Sequence, residues 1–199
     1  MKQQVLVIHG GNTFGKYKDF LDDLKNKKID LERLKYRLDW KDTLADDLGD
    51  MFEVLTPRMP NGTNAKYIEW IIYFENIILS LDNNLILIGH SLGGVFLAKY
   101  LSQNTLSKKI NAVILVAAPF KDLSSEKIGG FKVPKSLSIL NKQPKNLLLI
   151  QSLDDPVVEP SHVDMYKKEL TNAKTMIFKD RGHFQIEHFP ELVRYIKNL

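Results

Sequence analysis

Leu85-Ile86-Leu87-Ile88-Gly89-His90-Ser91-Leu92-Gly93-Gly94-Val95-Phe96-Leu97-Ala98 runs from a continuous apolar segment, through a glycine-flanked serine, into a helix-like stretch. The run before Gly89 has the length and continuity of a strand buried on both faces, the signature of a parallel sheet. Gly89 and Gly93 stand two positions either side of Ser91, giving a GxSxG strand–turn–helix elbow that lifts one hydroxyl clear of the sheet. The reading predicts an α/β fold with a serine at the carboxyl end of a central strand.

Five further runs of the same kind accompany it: Val5 to Ile8, Phe52 to Leu55, Ala112 to Val116, Leu147 to Ile150 and Thr175 to Phe178. Between them lie helix-like patterns at Ala65 to Leu81, Leu92 to Ser102, Ser161 to Leu170 and Pro190 to Leu199. That alternation predicts a six-stranded, mostly parallel sheet with helices on both faces. The run Leu137 to Leu140 is too short for a strand and is left outside the sheet. With 199 residues the chain is expected to form one domain. Two stretches exceed ordinary connector length: a helical insertion over 12–50, and 121–145, expected as a cap beside the serine.

A serine hydroxyl is a weak nucleophile near neutrality, so an imidazole must take its proton and a carboxylate must hold that imidazole in the right tautomer. Both are present after later strands. Asp154 and Asp155 leave the run ending at Ile150, and His183 leaves the run ending at Phe178. Residues alone do not choose between the two aspartates. A carbonyl attacked by Ser91 also needs N–H donors for its oxyanion, and Leu92 and Gly11 are placed to supply them. His9 reads as buried beneath the first turn, and His90 as packing on the far side of the elbow. His162 and His188, at or near helix starts, read as facing solvent.

Composition removes other classes. The 28 lysines and arginines against 24 acidic residues leave a net charge of +4, but the cations are dispersed among acids, so no nucleic-acid partner is expected. No apolar run approaches the ~20 positions of a bilayer span, and no membrane partner is expected. The lack of cysteine excludes a thiolate nucleophile and fits a reducing, cytoplasmic setting. No metal-ligand spacing is found, and neither a metal nor another cofactor is expected.

Together VLVIHGG at Val5–Gly11, GHSLGG at Gly89–Gly94, SLDDPVV at Ser152–Val158 and DRGHF at Asp180–Phe184 resemble the α/β-hydrolase superfamily. Within it the chain is similar to the small serine hydrolases of the retinoblastoma-binding protein 9 and YdeN type. The resemblance implies the compact α/β-hydrolase fold, with the first strand beside the nucleophile strand. It also implies a triad of Ser91, Asp155 and His183, choosing Asp155 because it directly precedes the proline. Hydrolysis of a small carboxylic ester, or of an amide or thioester, is the expected reaction. A hydrolase-like protein-interaction module is the alternative. The cysteine-containing partner-binding motif of the mammalian branch has no counterpart here.

Overall fold

The computed structural model describes residues 2–123 and 127–199. The chain runs β1 (Gln3–Ile8), α1 (Tyr17–Asn26), α2 (Leu31–Leu34), α3 (Trp40–Leu48), β2 (Phe52–Leu55) and α4 (Tyr67–Leu79). It continues through β3 (Leu85–His90), α5 (Leu92–Gln103), β4 (Ile110–Val116), a 3₁₀ turn at Gly129–Phe131, and α6 (Ser138–Lys142). The last third comprises β5 (Pro144–Ser152), α7 (Ser161–Glu169), β6 (Lys174–Phe178) and α8 (Pro190–Lys197).

The six strands form one sheet in the order β2-β1-β3-β4-β5-β6, and every neighbouring pair is parallel. The chain steps outward from β1 to β2, then returns across β1 to β3. That reversal opens a crevice at the carboxyl ends of β1 and β3, where α/β sheets bind ligands.

The continuous apolar runs are explained by burial on both faces. Leu6 and Ile8 of β1, Leu85 and Leu87 of β3, and Leu147 and Leu149 of β5 face one core with α4, α5, α6 and α7. Their alternates Val5, Val7, Ile86, Ile88, Leu148 and Ile150 face a second core with α3 and α8. The period of two sorts each strand cleanly between the layers.

Of the stretch 12–50, the last part is not an excursion. Helix α3 opens on an Asp39–Asp42 capping box and buries Trp40, Leu44 and Leu48 against the sheet. The excursion proper is the segment from about Thr13 to Leu38, in which α1 buries no residue. In the stretch 121–145, Phe131, Leu137 and Leu140 are buried in the first core, and Ile139 is exposed. These residues build a wall of the domain. Residues 124–126, on which part of the expected cap falls, lie outside the described residues.

Candidate active site

Ser91 sits between β3 and α5 with φ 53° and ψ −121°, a region costly for any residue with a Cβ. Its N–H donates to the Val116 carbonyl (2.9 Å), and its own carbonyl accepts from Gly94 (2.9 Å) and Val95 (3.2 Å). The elbow is thereby clamped between β4 and the first turn of α5. Beneath the elbow α5 lies close to β1: a Cβ on Gly93 would stand 2.2 Å from the Ile8 carbonyl oxygen. Only glycine fits there.

The structure places Asp155, not Asp154, against His183. His183 Nδ1 lies 2.9 Å from Asp155 Oδ2 and 3.1 Å from Oδ1. An ionised carboxylate can only accept, so Nδ1 carries the proton and Nε2 is left as the basic nitrogen. Asp155 is buried, and accepts further bonds from the N–H groups of Val157 (2.8 Å) and Val158 (3.0 Å) and from Gln151 Nε2 (3.3 Å). Asp154 accepts instead from the Ser152 hydroxyl and from the Gly182 N–H (2.9 Å). The Ser152 bond above all, helped by the weaker bond from Gly182, holds its carboxyl below the usual range against the opposing desolvation. Asp154 thus ties down the loop that carries His183.

Ser91 and His183 line one cleft of about 420 Å³ together with Gly11, Leu92, Ile128 and Val157. The Ser91 hydroxyl makes no hydrogen bond to a described residue, His183 included. Such bonds commonly tighten only when substrate arrives. The N–H groups of Gly11 and Leu92 also have no acceptor among the described residues. Two unspent backbone donors therefore border the cleft that holds the serine.

The Gly11 turn is built from outside. A Cβ at Gly11 would stand 2.5 Å from the Gly62 carbonyl oxygen, which also accepts from the Asn12 N–H (2.9 Å). Half-buried His9 accepts the Met59 N–H on Nε2 (2.8 Å), donates from Nδ1 to the Gly10 carbonyl, and packs edge-on against Trp70 (5.8 Å). It anchors the turn.

His90 does more than pack. Its Nε2 lies 3.0 Å from the His183 carbonyl oxygen, which can only accept, so Nε2 carries the proton. Its ring lies tilted against that of His183 (4.9 Å) and meets Trp40 edge-on (6.2 Å). Burial, then the charge of Lys41 and the neighbouring His183, push His90 well below the ordinary histidine value. Helix α3 completes this backing. The Trp40 N–H donates to the Ile186 carbonyl (2.7 Å), and the Thr43 hydroxyl to that of Glu187 (2.6 Å). No local signal points to these contacts, because the partners stand 93 to 146 positions apart.

One expectation is corrected. His162, expected to face solvent, is 1% exposed, and its Nδ1 accepts the Phe120 N–H (2.8 Å). The cause is tertiary: Tyr166 one turn later donates to the Pro119 carbonyl (3.0 Å) and draws this face of α7 onto the loop after β4. His188 is exposed, and its hydrogen bond to Asp47 raises its pKa. No described helix is long and apolar enough to cross a membrane.

Comparison with known proteins agrees with this architecture. Serine hydrolase RBBP9 of Rattus norvegicus is 30% identical over 151 residues, covering 74% of this chain and 78% of the relative. The ydeN gene product of B. subtilis superposes with a TM-score of 0.75 at 19% identity, covering 99% of this chain and 98% of that one. A putative yden-like hydrolase from Pectobacterium atrosepticum gives 0.65 at 16% identity, covering 98% and 90%. A family model described as serine hydrolase matches residues 36–193, from just before α3 into α8. The fold is that of the α/β hydrolases, and the chain belongs to the serine hydrolase family.

Proposed function

We propose that this enzyme cleaves small carboxylic esters through an acyl-enzyme on Ser91, with His183 as general base and Asp155 as its orienting carboxylate. The observation that carries the reading is the buried Asp155 bonded to His183 Nδ1 in the cleft that also holds Ser91. As Ser91 Oγ attacks the carbonyl carbon, His183 Nε2 takes its proton, and the carbonyl electrons move onto oxygen. The N–H groups of Gly11 and Leu92 face the charge that develops there. Collapse of the tetrahedral species expels the alcohol, which leaves with the proton held by His183. Water then repeats the sequence on the acyl-enzyme and releases the acid. Amides and thioesters fit the same steps with a different leaving group.

The reading further takes 1–199 as one domain in which 121–145 contributes a wall of the cleft through Leu123 and Ile128. The cysteine-free composition suits a reducing compartment, and we place the enzyme in the cytoplasm.

A fluorophosphonate probe tests the assignment. Wild type labels, and folded Ser91→Ala does not; its ester turnover falls by roughly 10⁴ to 10⁶. Labelling of Ser91→Ala, or its retention of a tenth of wild-type activity, refutes Ser91 as nucleophile. Absence of labelling in folded wild type favours a protein-interaction module.

A further inference from the structure

The excursion between β1 and α3 carries an apolar surface that the domain does not cover. Eight of the seventeen large hydrophobic residues exposed among the described residues fall within it: Tyr17, Leu21, Leu24, Ile29, Leu31, Leu34, Tyr36 and Leu38. Helix α1 has ten residues and none of them is buried. A helix so short is marginal in water on propensity alone and ordinarily owes its persistence to a face packed against something.

The pattern on α1 bears on what that something is. At roughly 100° per residue, Tyr17, Phe20, Leu21 and Leu24 fall on one stripe. Lys18 and Lys25 run along one margin, Asp23 lies on the other, and Asp19, Asp22 and Asn26 take the back. Between Lys16 and Leu38, eight lysines and arginines stand against five acidic residues. Within α1 two lysines stand against three aspartates, two of which lie on the back; the cationic excess follows the helix, in Lys27 to Arg37, and an anionic lipid headgroup layer complements that excess. Long lysine stems can lie along the apolar stripe while their ammonium groups reach the headgroups.

We propose that the segment Lys16 to Leu38 lies on an anionic lipid surface, with the α1 stripe in the interface. The lack of a spanning helix is no obstacle, because a surface-lying amphipathic helix needs none. The segment's stem is fixed beside the catalytic cleft. Thr13, which lines the cleft, donates to the Ala65 carbonyl (2.8 Å), and Lys66 Nζ donates to that of Phe14 (2.8 Å). Docking therefore holds the cleft close to a source of acyl esters, a substrate class that rests on the proposed hydrolytic reading.

Cosedimentation of the full chain with phosphatidylcholine vesicles, with and without phosphatidylglycerol, tests this. Binding to the anionic vesicles is expected, weakened at high salt as surface charges are screened. Leu21→Ser combined with Leu24→Ser should lower it by about tenfold or more, with turnover of a water-soluble ester unchanged. Lys18→Glu combined with Lys25→Glu should lower binding to the anionic vesicles only. Ser91→Ala should bind like wild type, so loss of hydrolysis and loss of docking are read separately. Absence of vesicle binding by wild type, or equal binding by the leucine variant, overturns the proposal. So does a wild-type dimer in sedimentation equilibrium that the leucine substitutions dissolve, which would assign the surface to self-association.

Discussion

Asparagine substituted at 154 or 155 should have very unequal consequences, although the positions are adjacent. Asp155 Oδ1 accepts the N–H groups of Val157 (2.8 Å) and Val158 (3.0 Å), while Oδ2 stands 2.9 Å from His183 Nδ1. An asparagine has one acceptor oxygen and one NH₂ that only donates. The two backbone donors hold its oxygen at the Oδ1 place, which turns the NH₂ toward His183. Nδ1 must then accept, and the imidazole proton moves to Nε2, the atom that receives the Ser91 proton under the proposed mechanism. Loss of the right tautomer costs on the order of 10⁴ in kcat, or about 5.5 kcal/mol of transition-state stabilisation. At Asp154 the oxygen that receives Ser152 and Gly182 survives as an asparagine carbonyl, so turnover should fall by less than about tenfold. Steady-state kcat/KM on a short-chain p-nitrophenyl ester, with thermal midpoints to show that both variants are folded, makes the comparison. Equal losses, or a larger loss for Asp154→Asn at matched stability, would refute the reasoning.

Gly93→Ala drives a Cβ into the Ile8 carbonyl and should cost about 3 kcal/mol or more, whereas Gly15→Ala meets nothing within 4 Å and should leave the midpoint of denaturant unfolding unchanged. Phe131→Ala removes a fully buried ring packed against Trp70 (5.1 Å) and should destabilise by about 3–5 kcal/mol, a loss that a detachable cap would not show. Acid should weaken the fold through His90. Its folded pKa lies below the ordinary 6.5, so an unfolded chain binds a proton that the native state refuses; stability is full above that value and falls as pH drops below it. His90→Gln, which keeps a donor for the His183 carbonyl, should flatten the dependence of the thermal midpoint on pH between ~7 and ~5, and an unchanged slope would remove His90 as its source.

The inner strands β1, β3, β4 and β5 are legible in the sequence because burial on both faces writes each around an unbroken apolar run, and the edge strands β2 and β6 show shorter, partly exposed versions of it. Strand ends are less legible. β5 spans Pro144–Ser152 around an apolar run of Leu147 to Ile150, since the hydrogen-bonded rims of a sheet admit polar residues such as Asn146 and Gln151. The elbow is legible because close backbone approach enforces glycine at fixed offsets. Helix α3 is hidden: Trp40, Leu44 and Leu48 keep helical spacing, but the charged excursion before them makes one long polar stretch of the whole. The His90 contact with His183 and the burial of His162 are invisible for another reason. Each depends on which loops the sheet order brings together, and hydrophobic periodicity carries no such information.

The bonds from Trp40 and Thr43 to the loop at 186–187 also bear on how the molecule is made. They join residues that leave the ribosome about 145 positions apart. Until the unit from β6 to α8 is synthesised, the Trp40 N–H lacks the Ile186 carbonyl, and Thr43 lacks that of Glu187. Under the proposed assignment Ser91 sits on a nascent chain without its base until His183, 92 positions later, has been added. Contacts this distant in sequence form late and slow folding. Hydrolytic activity would then rise only when the unit from β6 to α8 docks.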